Sequence, residues 1–203
     1  MINLCNICFN INKKNIINNV SLVIRSDGTT VFMGKNGAGK TTLLKLIANI
    51  IRPTSGYINF SNKINYYCTS FVFQNHIFLN RTIEENLLHC LSCAKNNTLN
   101  KNKKIIKNIL DEFNLLKYLT YNINELSLGE KQCISLIRAL ITNPHILFLD
   151  EPFNNLDENY KNFSKDLLMR ISKDKKIFLI THSILDASFF SDDIINIVGG
   201  RIE

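Results

Sequence analysis

Residues 2–24 alternate apolar and polar positions in short bursts, the period-two signal of half-buried strands, with a turn expected near 12–15. Residues 30–33 read as a short buried strand and 41–51 as a helix with one apolar face. A turn is expected at 53–56 and strands at 57–60 and 66–73. The period then changes. Ile83, Leu87, Leu88 and Leu91 fall at helical spacing within 82–94, with Glu84 and Glu85 in the first turn. The polar stretch 95–102 reads as a loop, 103–116 as an amphipathic helix, and 130–143 as a longer helix stopped by Pro144. The last third returns to alternation of strand and helix: buried strands at 146–149 and 177–180, a helix at 156–171, a strand at 194–198, and a hairpin-like turn begun by Gly199-Gly200. Continuously apolar strands imply a sheet covered on both faces, hence an α/β core with a mainly parallel sheet, N-terminal antiparallel strands and an inserted helical subdomain. There is no internal repeat and no low-complexity linker.

Composition narrows this little. The chain has 203 residues with 45% hydrophobic and 20% charged, which fits one globular domain or two small lobes with a real core. No run of 18 apolar residues occurs, and no secretory leader is expected from the start Met-Ile-Asn-Leu-Cys. The net charge of +7 is scattered, with small clusters at Lys101/Lys103/Lys104 and Lys173/Lys175/Lys176 and no basic stripe interleaved with aromatics. A membrane-facing or phosphate-facing role is favoured over nucleic acid. Two C-x-x-C pairs, Cys5/Cys8 and Cys90/Cys93, raise metal binding. Cys5 and Cys8 are expected on opposite faces of a strand, and Cys90 and Cys93 within an apolar helix, so buried thiols are the simpler expectation.

The most informative chemistry lies at Gly34-Lys35-Asn36-Gly37-Ala38-Gly39-Lys40-Thr41-Thr42, between a strand and a helix. It fits the pattern G-x-x-x-x-G-K-[ST] of a phosphate-binding P-loop. Glycines let backbone N–H groups turn inward, the helix start adds its positive dipole end, Lys40 reaches phosphate oxygens, and the Thr41 hydroxyl is placed to ligate Mg²⁺. About 110 residues on, Ile146-Leu147-Phe148-Leu149 ends in Asp150-Glu151. An apolar strand of a parallel sheet delivers such acids to its carboxyl end beside the phosphate loop. Asp150 would hold the metal and Glu151 would polarise the attacking water.

With these in place the chain resembles an ABC-transporter ATP-binding cassette over essentially its whole length. Gln74, after Phe71-Val72-Phe73, matches the family's Q-loop glutamine. Leu126-Ser127-Leu128-Gly129-Glu130 matches the signature motif, Asn154-Asn155-Leu156-Asp157 the D-loop, and His182 the switch histidine. The resemblance implies one cassette over 1–203, with a core from about 1–74 and 131–203 and a helical subdomain over about 75–130. It implies ATP and Mg²⁺ as ligands, with Thr41, Gln74 and Asp150 toward the metal and Glu151, His182 and Gln74 as the catalytic group. It implies head-to-tail pairing with a second cassette, Ser127 and the Gly129 N–H meeting the partner's γ-phosphate and Asp157 communicating across the pair. It further implies ATP hydrolysis that powers separate integral membrane subunits, from a peripheral position on the cytoplasmic face of the cell membrane. A soluble non-transport ATPase of this type and a regulatory cassette that hydrolyses poorly are the alternatives.

Three positions depart from the family pattern. Leu128 replaces a glycine, which is expected to restrict the signature turn. Cys133 stands where an arginine is usual. The position of the adenine-stacking aromatic falls near Ile11, with Phe9 expected two residues away on the same strand face.

Overall fold

The structure is a computed structural model that describes residues 1–60, 68–94, 98–190 and 193–203. The chain divides into two compact units: Met1–Phe71 with His145–Glu151 and Ile171–Glu203, and Val72–Pro144 with Pro152–Arg170.

In the first unit, β1 (Ile2–Ile11) and β2 (Lys14–Ile24) form the expected antiparallel hairpin, and β4 (Ser55–Phe60) pairs antiparallel with the other edge of β1. Asn12 and Lys13 both carry positive φ, 48° and 66°. That is the type I′ geometry matching the twist of adjoining strands. A second sheet runs in the order β5-β6-β7-β3-β8-β9 among the described residues. Its strands are β3 (Gly28–Met33), β5 (Thr69–Val72), β6 (Ile146–Asp150), β7 (Lys176–Ile180), β8 (Ile194–Val198) and β9 (Arg201–Ile202). The β3–β7, β3–β8 and β6–β7 pairs are parallel, and only the β8–β9 hairpin at Gly199-Gly200 is antiparallel among the registers described. Every residue of β6 and β7 is buried, as their unbroken apolar runs require. Phe71, Phe148, Phe178 and Phe32 stack as near-parallel rings on one face, with centroids 5.8, 5.1 and 6.1 Å apart in turn. The helix α1 (Lys40–Ile47) adds Leu43, Leu44 and Ile47 to that core. It ends four residues before the expected 51, because Asn49 turns left-handed at φ 53° and Ile50 N–H closes onto Lys45 O.

The second unit holds α2 (Ile83–Ala94), α3 (Leu99–Glu112), α4 (Leu128–Leu140) and α5 (Glu158–Ile171, whose last residue belongs to the first unit). α2 packs on α3 and α4. Residues 131–144 and 152–170 group with these helices, where Gln132 Nε2 donates to Pro152 O at 2.7 Å and Cys133, Ile134 and Ile137 are buried. α3 also starts earlier than the polar composition suggested. Asn102, Ile106 and Leu110, four apart, are all buried on one stripe, so the helix extends back to Leu99 behind Thr98. The expected loop at 95–97 and the strand start at 66–67 lie outside the described residues. A short helix in the first unit, α6 (Ile184–Phe190), was not anticipated. Ser183 Oγ accepts Asp186 N–H at its start.

Candidate functional site

Between β3 and α1 the chain makes a loop that only glycine can follow at two points. Gly34 has φ 145°, and a Cβ there would stand 2.2 Å from Ile197 O. Gly39 has φ 103°, and its Cβ would meet Ile17 Cδ1 at 2.9 Å and Ile16 O at 3.0 Å. With these contacts the loop curls over the N-terminus of α1, which presents its free N–H groups and positive dipole end. Lys35, Asn36 and Gly37 are exposed, Ala38 is buried, and Thr41 and Thr42 are half-buried at the start of the helix. Lys40 is buried and donates from Nζ to Gly34 O at 2.8 Å and Lys35 O at 3.0 Å. The ammonium thus lies inside the loop's concavity, held by carbonyls that an anion would replace.

Two acids stand at the end of β6. Thr41 Oγ1 donates to Asp150 Oδ2 at 2.8 Å. Burial pushes the Asp150 carboxyl above its ordinary range, while the Thr41 hydroxyl, Lys45 and Lys40 pull it back. Glu151 is buried at φ 52°, a left-handed backbone held by its N–H bond to Ile180 O. Its carboxyl is also raised by burial, against the pull of His182 and Lys40. His182 follows β7, and its Nδ1 stands 2.9 Å from Glu151 Oε2 while the rest of the ring is exposed. Residues 34–42, Asp150, Glu151 and His182 therefore meet in one unit. A cation-lined loop, a hydroxyl–carboxylate pair and a carboxylate oriented by imidazole form a constellation suited to binding a polyphosphate and activating water beside it.

Gln74, Ser127, Gly129 and Asp157 belong to the other unit. Exposed Gln74 lines a cavity of about 450 Å³ with Asn75, His76, Phe78, Leu128 and Lys131. The segment after it is anchored by Arg138, whose guanidinium donates to Ile77 O at 2.6 Å and lies 4.5 Å from the centre of the Phe78 ring. No sequence signal pointed to Arg138. Ser127 is the N-cap of α4: Glu130 N–H donates to Ser127 Oγ at 3.3 Å, and Ser127 N–H and Oγ–H donate to Glu130 Oε2 at 2.8 and 2.7 Å. This reciprocal cap is legible in the spacing Ser-x-x-Glu. Tyr118 and Ser127 together hold the Glu130 carboxyl below its usual value. Gly129 is required by packing, since a Cβ would stand 2.7 Å from Asn155 O. Asp157 accepts Tyr160 N–H at 2.9 Å on Oδ1 and so caps α5, which begins at Glu158 rather than 156.

Leu128 is exposed, opens α4 in ordinary helical geometry and is not among the residues with positive φ. The expected restriction of the signature turn is therefore absent. Cys133 is fully buried and its thiol is pushed up to about 12, mainly by burial. Ile11 is exposed at the tip of the β1–β2 hairpin, whereas Phe9 packs against the core, and a register shift between Phe9 and Asn10 breaks the alternation that would align them. Cys5 and Cys8 also flank a register shift, with Asn6 between them at φ 49°, so simple alternation does not describe that pair. Cys93 is exposed rather than buried. No group of three or more His, Cys, Asp or Glu side chains is arranged to hold a metal among the described residues.

The parallel sheet, the loop and the acids at the strand ends define a P-loop nucleotide-binding core. A family model described as ABC transporter matches residues 17–154. The chain is 34% identical over 202 residues to the uncharacterized ABC transporter ATP-binding protein YcbN of Bacillus subtilis, covering 93% of this chain and 64% of that protein. It is 32% identical over 204 residues to the lipoprotein-releasing system ATP-binding protein LolD of Leptospira interrogans, covering 92% and 84%. Among solved structures, the dimeric post-hydrolysis state of the ATP-binding cassette MJ0796 bound to ADP and Pi superimposes with a TM-score of 0.89 at 25% identity, covering 100% of this chain and 97% of that one. The chain belongs to the ABC transporter family. It spans 54–64% of the length of the first curated relatives it matches.

Proposed function

We propose that this chain is the ATP-binding and ATP-hydrolysing subunit of a membrane transporter, pairing with a second cassette and lending the closure of that pair to separate membrane-spanning subunits. The observation that carries the reading is the double pairing around the P-loop, Thr41 with Asp150 at 2.8 Å and His182 with Glu151 at 2.9 Å. The loop's N–H groups and Lys40 bind the phosphates, Lys40 exchanging the carbonyls of Gly34 and Lys35 for phosphate oxygens. Hard oxygen donors on Thr41 and Asp150 suit Mg²⁺, which when bound would offset phosphate charge; Gln74 is proposed as a further ligand on its motif match alone. Glu151, with its carboxyl raised by burial, is poised to take a proton from water, and His182 holds it in place. Ser127, the Gly129 N–H and the N-terminus of α4 would meet the partner's γ-phosphate, while Asp157 sets the start of α5 beside that surface.

No helix among the described residues is long and apolar enough to cross a membrane. The proposed place of action is the cytoplasmic face of the cell membrane, and the cavity beside Gln74 is the proposed seat for those subunits. The ordinary helical start at Leu128 favours a hydrolysing cassette over one that only binds.

Steady-state phosphate release tests the reading. Glu151→Gln should lower turnover by about 100-fold or more while leaving MgATP binding intact. Unchanged turnover would remove Glu151 from its role.

A further inference from the structure

Cys90 and Cys93 sit in the last turn of α2, three residues apart. Neither takes part in the proposed ATP chemistry. In an α-helix such a spacing separates Cα atoms by about 5 Å. That lies inside the range of roughly 4.4–6.8 Å found across disulfides. Cβ atoms at this spacing stand about 5–6 Å apart, against a mean near 3.8 Å in a disulfide. Closure therefore requires the turn to tighten toward 3₁₀ geometry, in which residues three apart eclipse. The last turn of α2 is the place where this is least costly. Ser92 already turns its hydroxyl back onto His89 O at 2.7 Å, a side-chain bond that competes with the helical ladder.

The two sulfurs differ in setting. Cys93 is exposed, while Cys90 is half-buried. Burial raises the Cys90 thiol and its neighbour Cys93 adds to this, with Arg138 pulling the other way. The other C-x-x-C pair is engaged separately: Cys5 hydrogen-bonds Tyr57, and Cys8 Sγ accepts Asn19 N–H at 3.3 Å.

We propose that Cys90 and Cys93 form a redox-active dithiol that closes to an intrahelical disulfide in the last turn of α2, taking a low-molecular-weight disulfide as oxidant. The Cys93 thiolate attacks one sulfur of the oxidant, forming a mixed disulfide and releasing one thiolate. The Cys90 thiolate then attacks Cys93 Sγ and releases the second. Two protein thiols lose two protons and two electrons, and the oxidant gains both as two thiols. Cys90 and the Arg138 guanidinium that anchors Ile77 and Phe78 act on each other electrostatically, so the redox state is felt at the segment that follows Gln74.

The test is exchange of the native full chain with a graded oxidised-to-reduced glutathione buffer, followed by thiol alkylation, intact mass and peptide mapping. Far-ultraviolet circular dichroism monitors the fold throughout. The expected product has lost two hydrogens, two alkylatable thiols and no other mass, with Cys90 and Cys93 in one cross-linked peptide that dithiothreitol reopens. Cys90→Ser should stop at a stable glutathione adduct on Cys93. Cys93→Ser should leave Cys90 largely unmodified. Full alkylation of both thiols across the series, a persistent glutathione adduct in the wild type, or a cross-link at Cys5–Cys8 instead would each overturn the proposal.

Discussion

Glu130→Gln separates two effects that the wild-type residue combines. Glu130 caps α4 reciprocally with Ser127, and its carboxylate is held ionised below the usual range. Gln at this position keeps both halves of the cap. Its loss of negative charge near the helix N-terminus costs about 0.3–1 kcal/mol. The proposed partner phosphate feels the opposite sign. Glu130 Oε2 lies 2.7 Å from Ser127 Oγ. A phosphate oxygen taking that hydroxyl's single proton in place of Oε2 would stand about 5 Å from Oε2, allowing a further hydrogen-bond length of about 2.7 Å. Two unit charges at that distance repel by about 1 kcal/mol in water and about 3 kcal/mol at an effective dielectric of 20. Removing the charge should tighten the ATP-bound pair by roughly 5-fold to 150-fold for each of its two nucleotide sites. The assay is MgATP-dependent dimerisation by sedimentation equilibrium, in a Glu151→Gln background so that nucleotide persists, with the melting temperature of the free protein recorded in parallel. The expected result is a lower melting temperature and a tighter dimer. A dimer that is unchanged or weaker would refute the placement of γ-phosphate at Ser127.

Two further substitutions follow from the packing. Gly129→Ala would gain up to about 1 kcal/mol from helix propensity alone, yet its Cβ would stand 2.7 Å from Asn155 O. Overpacking of about 1–3 kcal/mol should win, and a higher urea midpoint would contradict the contact. Lys176 is buried with its ammonium on Thr30 Oγ1 at 2.7 Å, and burial lowers its pKa from 10.5 to about 8. The unfolded chain thus holds the proton longer, and this residue makes stability rise with pH from about 8 to 10.5, by about 3 kcal/mol at about 1.36 kcal/mol per unit. Cys133, raised from 9.0 to about 12, acts oppositely above pH 9. Urea melts of wild type and Lys176→Met should therefore differ in slope, the rise being absent from the variant. Parallel profiles would reject the buried ammonium.

Much of the first unit was legible because its signals are local and strong. β6 and β7 are apolar at nearly every position, and the P-loop glycines answer to contacts of one backbone with another. Asp150 and Glu151 follow from where a parallel strand must end. What escaped depended on partners distant in sequence. Asn102 looks like a loop residue until it is seen four residues from Ile106 on a buried stripe. Arg138 carries no motif, and its role comes only from meeting Ile77 and Phe78 across 61 residues. The polar Ser183 start and the exposed Ile184 and Leu185 of α6 gave no periodic signal. The reciprocal cap at Ser127 and Glu130 is legible in the Ser-x-x-Glu spacing, whereas the signature match alone points only to Ser127 and Gly129. The register shifts in β1 defeated alternation at Cys5, Cys8 and Phe9 together.

In the proposed cycle, nucleotide is clamped between two cassettes. Sedimentation velocity of Glu151→Gln, with and without millimolar MgATP and with bound nucleotide counted, tests it most directly. Monomer is expected without nucleotide, and with it a dimer carrying two ATP and melting at a higher temperature by ligand linkage. A chain that stays monomeric with its melting temperature unmoved would contradict it.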